Sequence, residues 1–182
     1  MSSSAGEGST FHRRLAEQIG HEFTASQQYV AIAVWFDQQA LPQLASRFYA
    51  QAIEERNHAM MIVQYLMDRD VAVAIPGVSA VRNDFDVLDE PIALALAQER
   101  SVSAQFERLI ATAREDGDYL GEQFTHWFLK EQVEEVASMS TLLTVAQRCQ
   151  DNPLLMEDYL AREGGDGEAS DPTAPHAAGG AV

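Results

Sequence analysis

The sequence predicts an all-α protein: a four-helix bundle with one long crossover, between the second and third helices, and a short fifth helix. Four long segments repeat apolar residues at helical spacing. Short breaks join the first to the second and the third to the fourth, so each pair forms an antiparallel hairpin. About twenty residues without helical period separate the hairpins, and a connection that long inside a compact domain is a crossover.

Phe11 to about Gln39 forms the first helix, with Thr10 as its expected N-cap. Ile19, Phe23, Ser26, Val30, Ala33 and Val34 recur at helical spacing and are expected to face the core. Leu41-Pro42 breaks and restarts the helix, since proline lacks only an N–H that a first turn leaves unpaired anyway. The second helix runs to about Arg69 and should bury Leu44, Phe48, Ala52, Ile62 and Leu66. Val71 to Glu90 holds Ile75-Pro76-Gly77 and Arg82-Asn83-Asp84-Phe85-Asp86, with small apolar residues alternating. Pro91 opens the third helix, to about Glu115, with Leu96, Glu99, Val102, Phe106 and Leu109 on one face. Asp116-Gly117-Asp118 is a tight turn. The fourth helix, about Tyr119 to Gln150, carries Phe124, Trp127, Phe128, Met139, Leu142 and Val145, and Leu154 to Arg162 forms the fifth. Helices of about 27–30 residues extend about 40–45 Å at 1.5 Å per residue. A crossover of that span needs about 13 extended residues, so the link is long enough. The domain thus covers 11–163, between a flexible arm, 1–10, and a Gly-, Ala-, Pro- and Asp-rich tail, 164–182, expected to be disordered.

With 46% hydrophobic and 22% charged residues, the chain has the composition of a soluble globular protein. Its 28 acidic against 12 basic residues, a formal charge of -16, disfavour nucleic acid and anionic membranes as partners, both of which select clustered Lys and Arg. One cysteine, Cys149, excludes an intrachain disulfide framework and Cys-rich zinc or iron–sulfur sites; it reads as a small buried thiol. No apolar stretch is long enough to span a bilayer, and Met1 to Thr10 has no signal-like apolar region, so the protein is expected to be cytoplasmic.

Glu55-Arg56-Asn57-His58 carries the chemistry. A carboxylate and an imidazole at i and i+3 share one helix face and can reach one metal ion. The other three long helices each offer carboxylates or amides on the inward face: Glu22, Glu99, and Glu131-Gln132-Val133-Glu134-Glu135. Each alone has an ordinary reading as a solvated charge, and Tyr29 alone reads as core packing. Trp127 and the methionines Met60, Met61, Met67 and Met139 read as packing or surface; His12, His21, His126 and His176 fit no ligand spacing. The ordering is the signal. Glu22, Glu55, Glu99 and Glu135 would neutralise two divalent ions, which suits hard oxygen donors converging in a bundle core. His58 adds a nitrogen, Gln132 can hydrogen-bond a ligand or a metal-bound water, and Tyr29, two turns after Glu22, can donate to a ligand carboxylate.

These stretches resemble the bacterial non-haem ferritins over about residues 11–163. The matches are Glu22 with Tyr29, Glu54-Glu55-Arg56-Asn57-His58-Ala59, Gln98-Glu99, and Trp127 to Glu135. The ending Ala174-Pro175-His176-Ala177-Ala178-Gly179-Gly180 resembles the mycobacterial storage ferritins in particular. The resemblance implies a ferritin-like fold and a 24-subunit homo-oligomeric cage that oxidises Fe²⁺ with O₂ or peroxide at a diiron ferroxidase centre and stores ferric mineral. It implies that Glu22, Glu55 and His58 hold the first iron and that Glu55 bridges to a second, held with Glu99 and Glu135, while Gln132 orients them. Glu54, Glu131 and Glu134 match a third, weaker iron site.

Haem is not expected. Where the related bacterioferritins place a haem-ligating Met after the bridging Glu, this chain has Arg56, and where they place a second ligand His it has Ser138. Asp118 and Glu122 correspond to the lining of three-fold channels, although acids at a helix N-terminus also simply complement its dipole. The alternative is a ferritin-like diiron oxygenase or redox subunit acting on an organic substrate. The single Glu-x-x-His argues against it, since such bundles usually carry two. A non-catalytic acidic scaffold bundle is the third reading, and it predicts that the candidate ligands do not converge.

Overall fold

The computed structural model describes residues 9–163 and 171–182. Five helices follow in order, α1 Thr10–Gln38, α2 Pro42–Asp68, α3 Asp89–Asp116, α4 Tyr119–Arg148 and α5 Leu154–Glu163, with no strand among the described residues. The hairpins α1–α2 and α3–α4 pack together through α1 and α3, and α5 returns to α2.

Local chemistry sets the ends. Ser9, not Thr10, is the N-cap of α1: its hydroxyl accepts from His12 N at 3.2 Å, and Thr10 is already helical. The residues before it, 1–8, lie outside the described residues. Gly117 closes α3 at φ 72°, a left-handed conformation costly for a residue with a Cβ. Asp118 then caps α4 by accepting from Gly121 N at 2.9 Å. The N-terminus of α2 has no side-chain cap of its own. Glu157 of α5 supplies it, its carboxylate accepting from Gln43 N at 2.7 Å and Leu44 N at 3.0 Å. A short helix is thereby pinned by the free N–H groups of a long one.

The crossover runs along α1. Ser79 N donates to Thr24 Oγ1 at 3.2 Å, and Gln28 exchanges two hydrogen bonds with the Arg82 backbone, at 2.7 and 2.8 Å. Pro76 lies against Gly20, where an added Cβ would stand 3.1 Å from the proline ring.

The buried apolar residues form two clusters. One gathers Tyr29, Ile32, Phe36, Leu44, Phe48, Ile92, Met139 and Leu142; the other gathers Phe11, Leu15, Ile19, Ile62, Leu66, Phe106 and Phe128. Along α1 and α2 the changeover falls around Glu22 and Glu55, both buried. The bundle thus has a polar layer within its core.

Two further sequence expectations need correcting. Val30 and Val34 do not face the core but are 37% and 40% exposed, while Phe23 and Ser26 are half-buried. Helical spacing alone does not distinguish a buried stripe from a neighbouring apolar stripe that faces outward. The tail is not featureless either: 164–170 lie outside the described residues, but 171–182 packs on α2 and α4. Trp127 Nε1 donates to Asp171 Oδ2 at 3.2 Å, Ala178 N donates to the Met60 carbonyl at 3.0 Å, and Asn57 pairs with both backbone groups of Val182. Ala178 is buried, with Ala174 and Ala177 against the same apolar cluster. Small residues predict disorder only when no groove receives them.

Candidate metal centre

The polar layer draws on four helices. Glu22 comes from α1, Glu55 and His58 from α2, Glu99 from α3, and Gln132 from α4, and all five are at most 3% exposed. One ligand atom each from Glu22, Glu55 and His58 lie within 4.8 Å of one another. His58 Nδ1 is 3.4 Å from Glu55 Oε2, and its ring meets Trp127 and Phe128 edge-on at centroid distances of 5.8 and 5.6 Å. Aromatic packing fixes the imidazole's direction.

The carboxylates are only partly satisfied. Gln18 Nε2 donates to Glu22 Oε1 at 2.7 Å, but Glu22 Oε2 and both oxygens of Glu55 have no hydrogen-bond partner in the chain. Buried carboxylates without donors are expensive, and they either take up a proton or bind a cation. Burial holds Glu22 well above the ordinary carboxylate range, and the Glu55 charge raises it further. Burial likewise raises Glu55, reinforced by the charge of Glu99. Glu99 is raised too, again by burial, although two hydrogen bonds oppose the shift. Those bonds come from the Tyr29 hydroxyl, donated to Glu99 Oε1, and from Gln132 Nε2 to Glu99 Oε2 at 3.2 Å. Gln132 Oε1 lies 3.0 Å from Ser103 Oγ, which fixes the amide with its NH₂ toward Glu99. Burial and Glu99 push the Tyr29 phenol well above its ordinary value, so at neutral pH it remains a donor.

Glu54, Glu131, Glu134 and Glu135 line a cavity of about 560 Å³ on the α2–α4 face, which also reaches His58 and Trp127. Gln51 Nε2 donates to Glu54 Oε2 at 2.7 Å and to Glu135 Oε1 at 3.4 Å. Burial raises Glu131, with Lys130 opposing and Glu134 adding to the shift. The structure thus gathers Glu22, Glu55 and His58 tightly, joins Glu99 to Tyr29 and Gln132, and sets the four remaining acids along the adjoining cavity. Ser138 also lines that cavity, and the Arg47 guanidinium donates to its hydroxyl. Arg47 thus brings a permanent positive charge to the wall of that cavity. Asp118 and Glu122 are engaged locally, with His12 Nε2 3.3 Å from Asp118 and Arg114 Nε 2.6 Å from Glu122.

Sequence reasoning missed Gln18, Gln51 and Ser103 as site residues. All three fall on inward helical faces one turn from a ligand candidate (Gln18 to Glu22, Gln51 to Glu55, Ser103 to Glu99), and that spacing is the signal that could have found them.

Residues 13–149 match the Ferritin family, described as a Ferritin-like domain. The chain is 58% identical to "Ferritin BfrB" of Mycolicibacterium smegmatis over 182 residues, covering 100% of both. It is 58% identical over 180 residues to the Mycobacterium tuberculosis protein named "Bacterioferritin BfrB", covering 99% of each. A "Bacterial non-heme ferritin" of Staphylococcus aureus is 37% identical over 138 residues, 76% of this chain and 83% of that protein. The fold matches the open pore ferritin of Archaeoglobus fulgidus with a TM-score of 0.81 at 22% identity, over 86% of this chain and 98% of that one. No helix among the described residues is long and apolar enough to cross a membrane.

Proposed function

The chain belongs to the ferritin family, and from that premise we propose that it is a cytoplasmic, non-haem iron-storage ferritin whose polar layer is a ferroxidase centre. The observation that carries this is the buried group Glu22, Glu55 and His58, whose ligand atoms lie within 4.8 Å of one another. A cation bound to such a layer displaces the protons that burial favours and supplies the counter-charge, and Fe²⁺ as substrate fits that role.

In this reading Glu22, Glu55 and His58 hold one Fe²⁺. Glu55 bridges to a second, held with Glu99 and Glu135, and Gln132 keeps Glu99 turned toward the pair. Carboxylates suit the task because they can shift between bridging and chelating modes as the metal charge changes. Two Fe²⁺ give one electron each to O₂, which takes up two protons and leaves as hydrogen peroxide; with peroxide as oxidant, the same two electrons and two protons yield two waters. Tyr29, donating to Glu99, stands close enough to the pair to supply a further electron. Arg56 and Ser138 offer neither a thioether for haem nor a second imidazole, so the centre is asymmetric and haem-free. Glu54, Glu131 and Glu134 form a third, weaker position toward the cavity, and 24 copies form the cage that holds the mineral.

Aerobic addition of Fe²⁺ followed by size exclusion with metal analysis tests this. Iron should co-elute with a large homo-oligomer after oxidation faster than in buffer. A small oligomer, or oxidation at the buffer rate, rejects the storage reading.

A further inference from the structure

Gln51 lies one turn before Glu54 and Glu55 on α2 and is 8% exposed. Its NH₂ group joins two carboxylates from different helices, Glu54 at 2.7 Å and Glu135 at 3.4 Å. In the proposed function these carboxylates belong to different metal positions, Glu135 to the pair and Glu54 to the outer cluster. The same amide's Oε1 is buried with no hydrogen-bond partner, and Gln51 lines the cavity those acids share. Carboxylates only accept, so the amide has to offer them its nitrogen, which leaves its oxygen for something else. A glutamine present only for packing would have both ends satisfied within the fold. An unmatched buried oxygen beside a row of acids fits a hard cation or the water such a cation carries.

We propose that Gln51 is a positioning residue for the passage of iron between the paired centre and the outer cluster. Its NH₂ holds Glu135 and Glu54 side by side, and its Oε1 faces the ion in passage. The step exchanges one carboxylate ligand for the next, with no electron moved and no covalent bond changed. This inference rests on the ferroxidase reading.

The test uses the assembled, iron-free protein, with Zn²⁺ as a redox-inert probe in calorimetry and multi-turnover Fe²⁺ oxidation as a second readout. Loss of a hydrogen-bonding partner behind a metal ligand typically lowers metal affinity roughly 10–100-fold. Gln51→Leu should therefore weaken the outer position by at least about tenfold and the pair by less, with later oxidation turnovers slowed more than the first. Gln51→Glu keeps an oxygen but loses the donor, so it should retain outer Zn²⁺ binding while later turnovers still slow. Equal weakening of both positions in Gln51→Leu would reduce Gln51 to a support of Glu135 and overturn the inference. So would unchanged outer affinity and turnover in both variants. A wild-type protein that binds no Zn²⁺ at Glu22, Glu55 and His58 would overturn the ferroxidase reading itself, a separate result.

Discussion

Glu55→Gln should raise the stability of the metal-free chain above wild type and lower that of the metal-loaded chain below it. Glu55 is 1% exposed, neither of its oxygens has a hydrogen-bond partner, and burial with the charge of Glu99 raises its carboxyl well above the ordinary range. Gln has the same shape, no charge, and an NH₂ group that can donate to the unpartnered Glu22 Oε2. Relieving one unsatisfied buried group is worth on the order of 1–3 kcal/mol. At about 2–4 °C per kcal/mol for a chain of this size, the metal-free variant should melt about 2–12 °C above wild type at pH 7. The sign with pH follows from the raised value. A carboxyl whose folded-state pKa lies above its unfolded one contributes full stability below the unfolded pKa and loses it as pH rises through the folded one. The gap between variant and wild type should therefore widen from pH 5 to pH 8. Zn²⁺ inverts the order, since ligand at about 1,000 times its dissociation constant adds about 4.1 kcal/mol to the protein that binds it, more than the variant gains without metal. The assay is thermal unfolding by circular dichroism, with chelator and with Zn²⁺, at both pH values. A metal-free variant less stable than wild type, or an equal Zn²⁺ gain in both, would refute the reasoning.

Tyr29→Phe removes the hydroxyl donated to Glu99; stopped-flow oxidation should slow, and any transient radical seen by electron paramagnetic resonance should vanish. Unchanged kinetics with no radical in either protein would remove the redox role of Tyr29. Gly121→Ala should destabilise the chain by about 1–3 kcal/mol, because the new methyl would overlap the buried Phe11 ring, and denaturant unfolding measures this. Asp171→Ala removes the acceptor for Trp127 Nε1 and one of the two carboxylates beside Lys130, so segment 171–182 should exchange amide hydrogens faster and Trp127 emission should shift to the red.

The bundle was legible because its long helices carry regular apolar spacing and clear terminators, above all Pro42 and Gly117, so α2 and the α3–α4 turn fell where the residues placed them. The burial of Glu22, Glu55, His58, Glu99 and Gln132 was legible because one face of each helix interrupts its apolar run with a carboxylate, imidazole or amide. The outward turn of Val30 and Val34 was not, because period gives a stripe but not which neighbour covers it. Nor was the packing of 171–182, which depends on Asn57, Met60 and Trp127, residues distant in the chain that present a groove only once folded. The capping of α2 by Glu157 belongs to the same class, a local need met from across the fold. Gln51 went unnoticed, and Gln18 was read only as a neighbour of Glu22, because an amide has no distinctive meaning until its partners are known.

Anomalous diffraction at the iron edge from crystals of the assembled protein, soaked anaerobically in Fe²⁺, tests the central claim most directly. Two peaks should appear, one bound by Glu22, Glu55 and His58, the other bridged by Glu55 toward Glu99 and Glu135. Iron confined to surface acids, with none at Glu55 and His58, would contradict the ferroxidase centre proposed for this chain.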